Sequence, residues 1–202
     1  FEEFAKRCVP IIYRDKAFYL YGTCDGIMRY TTEDGETLRV GLEIKSKQTT
    51  YNQTGEYAAR NGPKEDHVKQ TICYSLMYDV DYYVILYVNA SKKSWDMTPE
   101  EYEKYPDIQA FGIEITDEMR AEVLDTFADV LDALETQTPP LLDLEKWAFN
   151  SYKTACAKSL TDEEFAALER KVNAMIRSNL PDWKKQQYAD AFEDLKKRRE
   201  SA

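Results

Sequence analysis

The chain has 202 residues, 43% apolar and 32% charged, with 15 Tyr, 8 Phe and 3 Trp against only 7 Gly and 7 Pro. That balance supplies enough side-chain mass for a compact core and argues against a disordered or fibrous chain. The longest uninterrupted apolar run, residues 82–88, is far short of the ~20 residues that cross a bilayer, so no membrane partner is expected.

The net charge of -10 weighs superficially against nucleic acid, but it is unevenly spread. Residues 1–95 hold 13 basic and 13 acidic side chains, residues 96–145 hold 2 and 15, and residues 146–202 hold 12 and 9. The acidity is one block, which charge screening over about 8–10 Å can hide from a site on another face. That block, 96–145, is read as a solvated acidic face, with a surface for a protein partner or a nucleic-acid mimic as the alternatives. The four cysteines, at 8, 24, 73 and 156, have no metal-ligand or redox spacing and are read as reduced thiols of a cytoplasmic protein. The opening residues Phe1-Glu2-Glu3-Phe4-Ala5-Lys6-Arg7 carry neither an initiating Met nor a secretory signal, and further chain is expected upstream.

Taken in order, residues 17–30, rich in Phe, Tyr, Ile and Met, read as strand. Asp34-Gly35 signals a hairpin, and residues 38–47 return with Leu38, Val40, Leu42 and Ile44 alternating with Arg39, Gly41, Glu43 and Lys45. The apolar set is expected to face the core and the polar set to face outward. Residues 48–63 form a polar connection longer than most loops. A helix over 64–79, a strand over 82–89, a short helix opened by the capping box Thr98-Pro99-Glu100-Glu101 and a strand over 108–115 follow. From residue 116 the pattern is helical, with a second capping box at Thr161-Asp162-Glu163-Glu164. The expectation is an α/β fold: a central mixed β-sheet flanked by helices over 1–116, with a helical C-terminal extension over 117–202 packed on it.

Chemistry concentrates in Gly22-Thr23-Cys24-Asp25-Gly26, Glu43-Ile44-Lys45 and His67-x-x-Gln70-x-x-x-Tyr74. Glu43 and Lys45, two apart on a strand, point to one face while Ile44 is expected to bury into the other. A two-residue turn at Asp34-Gly35 would set Asp25 opposite Ile44; one bulge, for which Gly22, Gly26 and Gly41 are candidates, would set it opposite Glu43. Carboxylates about 5 Å apart across strands repel unless a proton or a cation is shared. Asp25, Glu43 and the Ile44 backbone carbonyl would make a partial oxygen shell for Mg²⁺ or Mn²⁺, with Lys45 beside the water to be activated. On the helix, His67, Gln70, Tyr74 and Tyr78 share one stripe, opposite Val68, Ile72 and Leu76.

These three elements, in order on strand, strand and helix, resemble the PD-(D/E)XK nuclease superfamily, in particular its RecB-like branch of phage exonucleases and Cas4-like proteins, over about residues 17–90. The resemblance implies that Asp25 and Glu43 hold the catalytic metal, that Lys45 serves the attacking water, and that Gln70 and Tyr74 contact the site. Relatives often carry a further acidic ligand upstream, where this sequence has Glu2 and Glu3; Glu3 is the candidate. Iron-sulfur members have a C-terminal cysteine cluster, which a lone Cys156 after position 73 does not supply, so no iron-sulfur cluster is expected. DNA is the implied partner, with Lys47, Tyr51, Arg60, Lys64, His67 and Lys69 as contacts near the long connection. The activity implied is a metal-dependent deoxyribonuclease of recombination, repair or phage DNA processing, most simply an exonuclease. A restriction-type or structure-specific endonuclease and a catalytically idle binding module of the same fold are the alternatives.

Overall fold

The computed structural model describes residues 6–138 and 140–201. By contacts the chain divides into two compact units, Phe1–Asp132 and Ala133–Ala202. The first holds all the strands. A hairpin of β1 (Arg7–Tyr13) and β2 (Lys16–Gly22) forms a two-stranded sheet; β3 (Gly26–Thr31), β4 (Thr37–Lys47), β5 (Tyr82–Asn89) and β6 (Ile108–Glu114) form a four-stranded sheet in that order. Within it β3–β4 and β5–β6 are antiparallel and β4–β5 parallel, the one parallel step being bridged by α1 (Glu56–Arg60) and α2 (Glu65–Tyr78). The fold is thus α/β with a mixed sheet. Short α3 (Pro99–Lys104) starts on Thr98 with the predicted reciprocal cap.

Residues 17–30 are two strands, not one. Thr23, Cys24 and Asp25 separate β2 from β3, and β2 turns back onto a β1 that the sequence did not announce. The turn between β1 and β2 is made by Arg14 and Asp15 at φ of 49° and 61°, a left-handed pair that usually calls for Asn or Gly. The long polar connection also contains structure, a 3₁₀ turn at Tyr51–Thr54 followed by α1.

The expected burial of β4 is reversed. α2 lies over the row Glu43, Lys45 and Lys47, whereas Ile44 is 44% exposed and shares its sheet face with Tyr30, Tyr82 and Ile108, themselves 56%, 36% and 51% exposed. Alternation assigns residues to two faces; which face a helix covers is decided by the crossover connection. α2 is also buried around more of its circumference than one apolar stripe. Thr71, Ile72, Ser75, Met77 and Tyr78 are all buried in a core that includes Leu20, Cys24, Ile27, Tyr83 and Val123. α4 (Asp117–Thr136) adds Met119 and Phe127 to that core, and the division between units falls at 132/133.

Part of the acidic block is spent within this unit. Arg14 pairs with Asp125, Asp129 and Asp132, and Lys16 with Asp132, which ties the β1–β2 turn to α4. The second unit contains a 3₁₀ segment at Leu144–Phe149, α5 (Lys153–Ser159), α6 (Asp162–Arg177) and α7 (Asp182–Glu200) around Trp147, Leu168, Tyr188 and Leu195. The predicted cap at Thr161 opens α6. In the basic run ending α7, Arg198 pairs with Asp194 and Arg199 with Asp162. Among the described residues no helix is long and apolar enough to cross a membrane.

Candidate active site

The site begins with the register of β3 and β4. Thr31 pairs with Thr37, and inside them Thr32 and Glu36 close the loop through Thr32 N–H to the Glu36 carbonyl at 2.8 Å and Gly35 N–H to the Thr32 carbonyl at 3.0 Å. The turn therefore has three residues, Glu33, Asp34 and Gly35, with Gly35 at φ 83°. One residue more than a two-residue turn shifts the pairing by one, and Gly26 meets Leu42. Continued past the end of β3, this register sets Asp25 beside Glu43. The extra residue sits in the turn itself, not at Gly22, Gly26 or Gly41.

Asp25 is exposed next to buried Cys24, and its Oδ2 accepts the Ile44 N–H at 2.6 Å. A strand residue directs its N–H and C=O to the same flank, so the Ile44 carbonyl also faces the Asp25 side of β4. Asp25 Oδ1 has no partner among the described residues. Glu43, 3% exposed, is the buried acid of the pair, and its Oε1 lies 2.6 Å from Lys45 Nζ. Burial pushes the Glu43 carboxyl above the usual range; Lys45 pulls it down and the negative charge of Asp25 adds to the rise.

Lys45 Nζ also donates to Gln70 Oε1 at 2.6 Å, and Gln70 Nε2 donates to the Tyr74 hydroxyl at 3.0 Å. Because that hydroxyl accepts from Gln70, its own proton points elsewhere and is available to a ligand. A Cβ at Gly22 would come within 3.2 Å of the Tyr74 ring, so the glycine lets α2 approach the end of β2. The sequence-predicted Asp25, Glu43, Lys45, Gln70 and Tyr74 thus form one continuous array.

The predicted DNA contacts separate into two groups. Lys47, Lys64 and His67 gather around Tyr87: Lys47 Nζ sits 4.3 Å above its ring, His67 Nδ1 is 2.7 Å from its hydroxyl, and that hydroxyl accepts the Lys64 backbone N–H at 3.0 Å. Tyr87, a buried residue of β5 and the register partner of Lys45, is the residue about which this group gathers. Burial first, then the charges of Lys45, Lys47 and Lys64, hold His67 below its ordinary value. Arg60 and Lys69 instead pair on the surface with Glu56 and Glu65 one helical turn away, and Tyr51 stacks edge-on against Tyr105. Glu3 lies outside the described residues.

No protein-family model and no curated protein matches the chain. A crystal structure described as that of SSO0001 aligns with a TM-score of 0.46 and 14% identity, over 79% of this chain and 61% of that one. This chain therefore spans under two thirds of that protein's length.

Proposed function

We propose that this protein is a metal-dependent DNA nuclease of the PD-(D/E)XK, RecB-like kind, hydrolysing a phosphodiester by attack of water. The observation that carries this reading is the array Asp25, Glu43, Lys45, Gln70 and Tyr74, linked through the Ile44 amide and three side-chain contacts of 2.6–3.0 Å.

The donors fit a hard divalent cation. An unpartnered Asp25 oxygen, the buried Glu43 carboxylate and the Ile44 carbonyl are all oxygen ligands, the kind Mg²⁺ and Mn²⁺ take, and a cation there relieves the repulsion between the two acids. When bound, the ion polarises the phosphoryl oxygen and lowers the proton affinity of water. The chain supplies the rest. Lys45, held between Glu43 and Gln70, orients the attacking water and balances charge developing on the phosphoryl oxygens. Gln70 fixes the Lys45 side chain, and Tyr74 in turn fixes the Gln70 amide while its free proton is offered to a phosphate oxygen. The bond from phosphorus to water oxygen forms as the bond to the leaving sugar oxygen breaks; the water gives up a proton to solvent and the departing sugar oxygen takes one from solvent, a net addition of water.

A second reading, an idle binding module of the same fold, draws on one observation: the Glu43 carboxylate is already paired with Lys45. Incubating linear and circular DNA with wild type and Lys45→Ala, with and without Mg²⁺, separates the two. The nuclease reading requires Mg²⁺-dependent cleavage by wild type, at least about 100-fold slower in the variant. Equal rates overturn it. Cleavage confined to linear DNA marks an exonuclease, and cutting of circles an endonuclease.

A further inference from the structure

Beside the array lies a recess of about 350 Å³. Its floor is the same sheet face that carries Glu43 and Lys45, contributed by Lys47, Tyr87 and Phe111, and its wall is the long connection, through Gln53 and Tyr57, with Lys64 at the start of α2. Lys45 is the register partner of Tyr87, and Lys47 is two residues further along β4, about 7 Å on. The recess is therefore continuous with the row that holds the reacting groups.

Three features of the lining point to one ligand chemistry. Lys47 and Lys64 converge, and among the described residues neither pairs with a carboxylate. Burial and then the facing Lys64 charge depress Lys47, so the two ammonium groups lie close enough to repel. Gln53 lines the recess, and its buried Oε1 has no hydrogen-bond donor, an acceptor left unpaired within the wall. Half-buried Phe111, backed edge to face by Tyr87 at 5.8 Å, and Tyr57, 82% exposed at the rim, provide aromatic surface. Paired cations, a buried acceptor and aromatic rings together match a phosphate joined to a base that carries an exocyclic amine. The volume sits at the small end of ligand pockets, which span about 300–1,000 Å³, and suits one nucleotide rather than a longer segment.

We infer that this recess is a mononucleotide subsite: it seats the nucleotide next to the scissile bond, its phosphate on Lys47 and Lys64, its base against the aromatic wall with an amine donating to Gln53. The inference rests on the nuclease reading for its place on the substrate, but not for its binding chemistry. It also gives the long connection a role, that of enclosing one nucleotide against the sheet.

The test is equilibrium binding without divalent metal, in EDTA. Calorimetry measures 2′-deoxyadenosine 5′-monophosphate, deoxyadenosine and inorganic phosphate against wild type, Lys47→Ala, Lys64→Ala and Gln53→Leu, with circular dichroism confirming that each variant is folded. The nucleotide is expected to bind at least ten-fold more tightly than either fragment. Each lysine variant should weaken it at least ten-fold, and Gln53→Leu should weaken the nucleotide while leaving phosphate unchanged. A nucleotide bound no more tightly than phosphate, or variants indistinguishable from wild type, overturns the subsite. A protein that cleaves DNA with Mg²⁺ yet fails this test loses the subsite alone; one that binds the nucleotide and never cleaves loses the nuclease reading alone.

Discussion

Gly41→Ala is the sharpest structural perturbation available beside the site. A Cβ at Gly41 would lie 2.1, 2.3 and 2.5 Å from Cε1, Cζ and Cδ1 of Tyr83, against an ordinary carbon contact of about 3.5 Å. The ring must retreat by roughly 1.4 Å or leave. It has nowhere to retreat, being 1% exposed in the main core. Overpacking costs about 1–3 kcal/mol, and loss of a large buried aromatic about 3–5 kcal/mol, so the variant should lose about 2–4 kcal/mol. Because the chain has two compact units, the assay is native-state hydrogen exchange of the β4 and β5 amides, which reads the first unit directly. Protection there should fall about 30- to 1,000-fold. Tyr83→Leu opens the space that the new methyl needs, so the double variant should be more stable than the sum of the singles predicts by at least about 1 kcal/mol. Additive effects, or a Gly41→Ala cost under about 0.5 kcal/mol, would refute the close approach of ring and strand.

Gln70→Leu removes the acceptor that holds Lys45 from the helix side, and kcat on DNA should drop about 10- to 100-fold with KM little changed, as read by steady-state kinetics; a change confined to KM contradicts the positioning role. His67, the single histidine, should titrate below 6.5 by NMR, and its midpoint should rise in Lys45→Ala as one repelling charge goes. The folded state then binds fewer protons at this site than the unfolded chain, so its contribution to stability is present above pH 6.5 and lost as pH falls through the depressed value, measured by urea unfolding across that range.

Much of this architecture is readable from residue order. The capping boxes at Thr98 and Thr161 fix two helix starts because reciprocal hydrogen bonds need only four consecutive residues. Glu43 and Lys45 must share a face because strand geometry alternates, whatever lies above them. What local pattern cannot supply is the partner of a surface. The row Gly41, Glu43 and Lys45 looks solvated by alternation, yet α2 covers it, and Ile44 on the apolar row is left 44% exposed. The β1–β2 turn escaped notice because Arg14 and Asp15 adopt left-handed φ without a glycine to mark it. The one-residue shift that brings Asp25 to Glu43 depended on whether the turn at Gly35 held two or three residues, a choice made by the Thr32–Glu36 pair. Tyr87 had no signal of its own; its hydroxyl became informative only when Lys64 and His67 were placed around it.

The central claim is that Asp25 and Glu43 together hold one divalent ion that DNA hydrolysis requires. Calorimetric titration of Mn²⁺ into wild type, Asp25→Asn and Glu43→Gln, with DNA cleavage measured on the same samples, addresses it directly. The account predicts one bound ion per wild-type chain, and at least ten-fold weaker binding together with loss of cleavage in both variants. Undiminished cleavage by either amide variant, or a wild type that takes up no Mn²⁺ at millimolar concentration, would contradict it.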